Sequence, residues 1–309
     1  MGATILQSSI PDLYTVLLAN LDHVTWMKHE IQLEMLDLFN VRQGSGPFIN
    51  DTTVSGLGVA SVKHEGEASA TDMFYQGFDK KYTPVTYSLM YLVSKEAVDR
   101  GKYLQIARSA KAFERSFRAT KETLLAAPIN DGFDSETSAD GQYLFSTTHL
   151  SEGPDVGNRK NTLSTAADLS VTSFQLALND YKDTRDGRGL LLNIDPGRLV
   201  VPTENEWLGY EILKSQGRSD TANRADNAFK LSPTTNGMSV AVKRYLTDAD
   251  SWGIWPSDNS DHDLNYVEWE AFQTYAAVDF NTDDFKYKAR EGYVIGAGMW
   301  EGVYFVPGA

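Results

Sequence analysis

The chain has 309 residues, with 28 lysines and arginines against 42 aspartates and glutamates, and its formal charge is −14. Hydrophobic residues make up 41% of it, which excludes a disordered chain and fits one large domain or two smaller ones. The negative charge argues against a protein that grips nucleic acid through a broad cationic face. Cysteine is absent, which excludes disulfides, zinc ribbons and thiol nucleophiles.

The chain carries no recognisable targeting or membrane segment. Its first residues lack the charged start and apolar run of a signal peptide. Its apolar runs are only a few residues long, far below the ~20 residues that a membrane span needs. The sequence therefore predicts a soluble protein without a membrane partner.

Two amphipathic helices are predicted near the N-terminus. Ser9 and Pro11 form a helix start, and a second apolar stripe runs over about 26–39. Both lie outside any obvious core pattern. We therefore interpret residues 1–47 as an arm that packs on something else.

Residues 48–101 are rich in β-forming patterns. Two segments, 54–62 and 73–78, flank a polar tip at 63–67 and predict a long hairpin. From Tyr82 to Val93 apolar residues alternate with others, which predicts a core strand.

The strongest periodic signal covers residues 101–127. Apolar or small residues recur there at spacings of three and four, which predicts one long helix of roughly 40 Å, and Pro128 is expected to end it. The opposite face of this helix carries Lys102, Arg108, Lys111, Arg115, Arg118 and Lys121. Such a row is usually only solvated, but it is the most basic surface of an acidic chain.

Helices and strands alternate irregularly in the rest of the chain. The patterns predict helices at 169–181 and 204–216, and strands at 199–202, 240–255, 267–277 and 284–305. No regular βαβ order is visible, so the predicted fold class is α+β.

No catalytic, cofactor or metal motif is complete. His29-Glu30 and His64-Glu65 lack the second histidine of a zinc protease. The acidic stretch 258–263 lacks the central glycine and distal glutamate of a calcium loop, and we interpret it as a solvated turn. His149, beside a phenylalanine and two threonines, is interpreted as a structural histidine.

Two pairs of glutamates leave an enzyme open as a remote alternative. Glu204 and Glu206 lie beside Trp207, and a second pair at 268 and 270 flanks another tryptophan, as in a carbohydrate-active enzyme. Carboxylates two residues apart are more often solvated surface. We therefore predict no enzymatic activity, no cofactor and no metal.

An ordered series of segments carries a family resemblance. The segments are YSLMYLVSKEAVD at 87–99, DGQYLFSTTH at 140–149, NTLS at 161–164, PGRLVVP at 196–202 and VKRYLTD at 242–248. Together with the hairpin and the long helix, they resemble the major capsid proteins of tailed bacteriophages, which have the Hong-Kong-phage-type fold, in the branch of Mu-like head subunits. The resemblance covers nearly the whole chain from about residue 48.

The resemblance implies an L-shaped α+β subunit. Its parts would be an N-terminal arm (1–47), an extended loop (48–85), a peripheral domain (86–164 and 279–309, with a spine helix at 101–127) and an axial domain (165–278). Independently, an apolar hairpin such as 54–78 cannot bury its face alone and needs a partner subunit. The candidate inter-subunit residues are Val59, Val62, Lys63, Phe74, Tyr75 and Phe78.

The implied function is a major head protein of the virion. Its copies would self-assemble in the host cytoplasm into hexamers and pentamers of an icosahedral shell around packaged double-stranded DNA. The basic face of the long helix would contact this DNA weakly and non-specifically if it points inward. Other implied partners are a portal, a decoration or cement protein and a separate scaffolding protein, since the chain starts directly at the arm. An encapsulin-like protein compartment is the alternative with the same fold.

One position departs from the family pattern, and three lysines bear on a cross-link that some members of the family form. Glu301 follows Trp300 where relatives often carry an arginine, which leaves a charge-specific contact there open. Lys63, Lys80 and Lys81 lie on the predicted loop, but nothing in the sequence assigns them to a covalent cross-link, and we predict none.

Overall fold

The computed structural model describes residues 33–100, 103–151, 159–217 and 227–309. The described chain divides into two compact units, one with residues 33–34, 84–123 and 268–294 and one with residues 35–83, 124–267 and 295–309. These bounds differ from the predicted domain bounds, which stay a prediction. Within the described residues, no helix combines the length and the apolar character that crossing a membrane requires.

The described elements are ten strands, six helices and three short 3-10 turns. The strands are β1 (Asn40–Gln43), β2 (Ile49–Val54), β3 (Gln76–Tyr82), β4 (Val85–Val93), β5 (Pro196–Val201), β6 (Ser239–Val242), β7 (Trp252–Pro256), β8 (Leu264–Val278), β9 (Phe285–Ala297) and β10 (Tyr304–Val306). The helices are α1 (Lys95–Asp99), α2 (Tyr103–Asn130), α3 (Val171–Lys182), α4 (Glu206–Lys214), α5 (Ala228–Leu231) and α6 (Pro233–Asn236). The 3-10 turns are Leu36–Leu38, Thr203–Asn205 and Asn259–Asp261.

The first unit packs part of α2 on a sheet. β4 pairs antiparallel with β9 over all nine of its residues, and β9 lies between β4 and β8. Tyr91 of β4 contacts Phe113 of α2 with ring centroids 4.9 Å apart, and Tyr87 stacks on Tyr293 of β9. The alternation over 82–93 thus correctly predicts a strand, but β4 is the outermost described strand of its sheet and not a core strand.

Helix α2 is longer than predicted. The prediction that Pro128 ends the helix is wrong, because α2 runs to Asn130 with Pro128 in its last turn. Proline removes one helical hydrogen bond. The last turn nevertheless persists because Leu125 and Ile129 are fully buried, and Asp131 N–H still donates to the carbonyl of Ala127 at 2.8 Å.

The second unit is built around the sheet β10-β7-β5-β6, which is antiparallel except between β5 and β6. Helix α3 packs its apolar stripe on this sheet, and Phe174, Tyr181 and Trp252 belong to one buried cluster. A reciprocal cap between Ser170 and Ser173 begins α3, so the helix predicted at 169–181 is confirmed.

Residues 35–43 belong to the second unit. Met35, Leu38 and Phe39 are buried there, and the indole N–H of Trp255 donates to the Leu38 carbonyl at 3.2 Å. The predicted helix over 26–39 is wrong for its described part, which forms a single 3-10 turn. Residues 1–32 of the predicted arm lie outside the described residues.

Candidate assembly surfaces

The extended loop, defined here as residues 55–75, connects β2 to β3. These two strands pair antiparallel from Ile49↔Tyr82 to Val54↔Gln76, with an irregularity between Thr52 and Val54. The predicted strands at 54–62 and 73–78 are therefore displaced, since residues 55–75 form none. Glycines and small residues dominate this segment, and they offer little side-chain surface for cross-strand packing.

Most of the predicted inter-subunit residues are exposed on the extended loop. Val59 and Val62 are 82% and 83% exposed, and Phe74 is 64% exposed. Lys63 and Tyr75 are also exposed. Phe78 is the exception, because it is half-buried in β3 and its N–H donates to Thr53 Oγ1 at 2.8 Å.

A charged clip fixes the base of the extended loop on the second unit. Asp72 accepts the N–H of Gly58 at 2.7 Å and that of Met73 at 2.9 Å, so it ties the two sides of the loop together. These hydrogen bonds, followed by the charge of Arg188, lower the pKa of Asp72. Arg188 Nη2 lies 2.9 Å from both carboxylate oxygens, and its guanidinium lies 5.3 Å from the ring centre of Tyr75.

Only some of the cations predicted on the basic face of the long helix are exposed. Arg108, Lys111 and Arg115 are exposed at spacings of three and four, and Arg118 is half-buried. Lys102 lies outside the described residues. Lys121 is buried, so its assignment to the exposed basic face is wrong.

Lys121 forms a buried ion pair with Glu291 of β9. Lys121 Nζ lies 2.7 Å from Glu291 Oε2, and the two side chains are 6% and 1% exposed. Lys121 is in phase with the buried Phe117 and Leu125 at a spacing of four, which places it on the face of α2 that packs on the sheet. Sequence reasoning missed Glu291, and the only local signal was a lysine in register with an apolar stripe.

A buried histidine network joins two of the resemblance segments, 140–149 and 161–164. His149 Nδ1 lies 2.9 Å from Asp140 Oδ2, and His149 Nε2 lies 3.0 Å from Asn161 Oδ1. The ring stacks on Trp300 with centroids 4.5 Å apart. Burial alone would raise the pKa of Asp140, but hydrogen bonds from His149 and Ser138 outweigh it and lower that pKa. His149 is thus a structural histidine, as predicted.

Glu301 makes its charged contact within its own unit. Arg159 Nη1 lies 3.4 Å from Glu301 Oε1, and the guanidinium of Arg159 lies 5.2 Å from a ring centre of Trp300. The glutamate that follows Trp300 therefore has a local cation as its partner.

The glutamate pairs that left an enzyme open do not form one site within either unit. Glu204 and Glu206 belong to the second unit, and Glu270 belongs to the first, where it pairs with Arg290 at 2.6 Å. Asp258 accepts the N–H of Ser260 at 2.9 Å and so caps a 3-10 turn. The solvated-turn interpretation of 258–263 fits this exposed start but is wrong for His262, which is buried. Among the described residues, no group of three or more acidic or histidine side chains could hold a metal ion.

The fold is that of capsid subunits of known structure. A structure from Microbacterium phage Oxtober96 matches with a TM-score of 0.55 at 9% identity, covering 89% of this chain and 90% of that chain. The capsid of Myoviridae phage XM1 matches with a TM-score of 0.51 at 13% identity, covering 90% and 92%. A virus-like particle from Pyrococcus furiosus matches with a TM-score of 0.53 at 11% identity, covering 93% and 98%. No curated protein sequence matches the chain.

The family follows from the sequence itself. A profile of the family described as phage capsid protein matches residues 77–306. The chain belongs to this family. The predicted α+β capsid fold and the recognition of a tailed-phage capsid protein are confirmed, and the finer assignment to the Mu-like branch stays a prediction.

Proposed function

We propose that this chain is the major capsid protein of a tailed phage, and that its copies form the hexamers and pentamers of an icosahedral virion shell around double-stranded DNA. The exposed extended loop is the observation that carries the proposal. Val59 and Val62 are more than four-fifths exposed, although burying such a side chain contributes about 1.5–3 kcal/mol. A second subunit can supply that burial.

The geometry of the loop suits a contact between unlike surfaces. The clip between Asp72 and Arg188 fixes the base of the loop on its own subunit, whereas the exposed Val59 and Val62 lie between Gly58 and Asp72, on the tip side of the clip. A loop from one copy that packs on a different surface of the next copy makes a head-to-tail contact, and such contacts close into rings. Hexamers and pentamers are rings of this kind.

The remaining basic row on α2 is the proposed contact with packaged DNA. Arg108, Lys111 and Arg115 are exposed in a chain whose formal charge is −14. The acidic balance keeps the wall from binding the genome tightly, and the row supplies a few weak, non-specific phosphate contacts. Arg118, which is half-buried, borders the row, and Lys102 lies outside the described residues.

The DNA contact is tested by changing the three exposed cations Arg108, Lys111 and Arg115 to glutamine. We expect shells to form, and we expect the salt dependence of DNA release to weaken, because each lost phosphate contact removes about 0.9 from the slope of log K against log salt. The matched control changes Lys95 and Lys182, two cations exposed elsewhere on the described surface, to glutamine. Unchanged DNA retention in the triple variant would contradict the proposed contact.

The proposal includes the further partners and properties that the resemblance implies. They are a portal, a separate scaffolding protein and a decoration protein, with assembly in the host cytoplasm and no enzymatic activity. An encapsulin-like compartment is the second candidate, and the virus-like particle among the structural matches favours keeping it. Nucleic acid inside native particles supports the capsid, whereas protein cargo without nucleic acid supports the compartment.

Negative-stain microscopy and light scattering of the purified protein test the proposed assembly. We expect closed isometric shells of many copies. A monodisperse monomer that hydrolyses glycans would contradict the proposal and favour the carbohydrate-active alternative.

A further inference from the structure

Strand β4 is the outermost strand of its sheet among the residues that the structure describes. It pairs with β9 in unbroken register, from Val85↔Tyr293 to Val93↔Phe285. Within residues 33–100, 103–151, 159–217 and 227–309, no strand pairs with its other edge. An open edge exposes a row of backbone N–H and C=O groups that can pair with a strand of another chain.

This edge lacks the features that usually protect an edge strand. Its nine residues, VTYSLMYLV, contain no charged residue, no proline and no irregularity in register. Leu89, Met90 and Leu92 are 45%, 51% and 57% exposed. A long, uncharged and apolar edge in a soluble chain indicates a strand that is paired when the protein functions.

The strand is complementary to a second copy of itself. Two copies of β4 can lie antiparallel with a two-fold axis at Leu89. Val85 of one copy then lies opposite Val93 of the other, Tyr87 lies opposite Tyr91, and the two Leu89 residues face each other. Like side chains thus meet, and aromatic and branched pairs stabilise neighbouring strands. An antiparallel pair of identical strands has a two-fold axis, and every contact occurs twice across it.

The charges of the adjoining strand do not oppose this pairing. Lys286 pairs with Asp279 and Arg290 pairs with Glu270, both within the same sheet. Lys288 lies 5.0 Å from the ring centre of Tyr275. The cations beside β4 are therefore matched inside each subunit, and two copies meet through an uncharged strand.

We propose that β4 of one subunit pairs antiparallel with β4 of a second copy about a two-fold axis at Leu89. The inference rests on the proposed shell, because a closed icosahedral shell needs two-fold contacts between rings in addition to the head-to-tail contacts within them. The contact joins subunits that the shell already holds together.

Single-cysteine variants test the pairing in assembled shells, because the chain has no cysteine of its own. Leu89→Cys places two thiols opposite each other at the axis, within disulfide range. Leu92→Cys is the matched control in the same strand, since its two copies lie six residues apart across the axis, roughly 20 Å. After mild oxidation we expect covalent dimers from Leu89→Cys and at least ten times fewer from Leu92→Cys.

A second experiment tests the proposed register. Shells assembled from a mixture of Ser88→Cys and Met90→Cys subunits should give heterodimers, because these positions face each other. Shells without covalent dimers from either experiment, or with equal amounts from Leu89→Cys and Leu92→Cys, overturn the β4 pairing and leave the proposed function intact. Failure of the unsubstituted protein to form shells overturns the proposed function instead.

Discussion

Replacing Lys121 with methionine should destabilise the subunit strongly, because it leaves the carboxylate of Glu291 buried without its cation. Lys121 Nζ lies 2.7 Å from Glu291 Oε2, and the glutamate side chain is 1% exposed. Methionine keeps the apolar stem of lysine, so the variant mainly removes the charge. Breaking a buried pair in this way costs about 3–5 kcal/mol of unfolding free energy.

Urea denaturation of unassembled subunits, followed by circular dichroism at pH 7, measures this loss. Arg115→Met is the matched control, because it removes an exposed cation from the same helix and should change stability by less than about 0.5 kcal/mol. The double variant Lys121→Met with Glu291→Leu should recover most of the loss, since it removes both charges of the pair. A loss below about 1 kcal/mol would contradict the predicted cost of breaking the pair.

Two further predictions concern the second unit. Burial, assisted by the cation of Arg198, lowers the pKa of His262 to about 4. At this position the unfolded chain therefore binds a proton more readily than the folded chain does. The free energy of unfolding should fall by up to about 3.4 kcal/mol as the pH drops from about 6.5 to 4. In urea denaturation at several pH values, His262→Asn should reduce this fall. Removing the clip by Arg188→Ala should speed proteolysis within the extended loop of unassembled subunits, because Asp72 then loses its two-point contact with the guanidinium. Arg188→Lys should give an intermediate rate. Equal cleavage rates in the unsubstituted protein and both variants would contradict this.

The sequence predicts the elements whose residues repeat with a strong local period. The α+β class, the long helix, β4 and α3 follow from spacings of two or of three and four. The exposure of the extended loop is also predicted from the sequence, because an isolated apolar hairpin cannot bury its own face. The strands that flank the loop are displaced from the prediction, because their ends depend on hydrogen bonds between Ile49–Val54 and Gln76–Tyr82 rather than on local pattern.

The buried polar contacts could not be predicted in the same way. The partners of His149 come from positions 140, 161 and 300, and only the folded chain brings them together. A charged side chain is expected on the solvent face of the helix. Lys121, however, lies four residues from both Phe117 and Leu125, which are buried. Its partner Glu291 lies 170 residues away, so the pairing is a tertiary contact that no local spacing encodes.

We propose that exposed apolar side chains of the extended loop hold neighbouring subunits together. Sedimentation velocity of assembled protein tests this with Val59→Ser and Val62→Ser combined. The control combines Leu176→Ser and Leu231→Ser, at two leucines that are also exposed, on α3 and α5. We expect the valine variant to fold normally but to sediment as subunits or small oligomers, whereas the control sediments as closed shells. Closed shells from the valine variant, in the same yield as from the control, would contradict it.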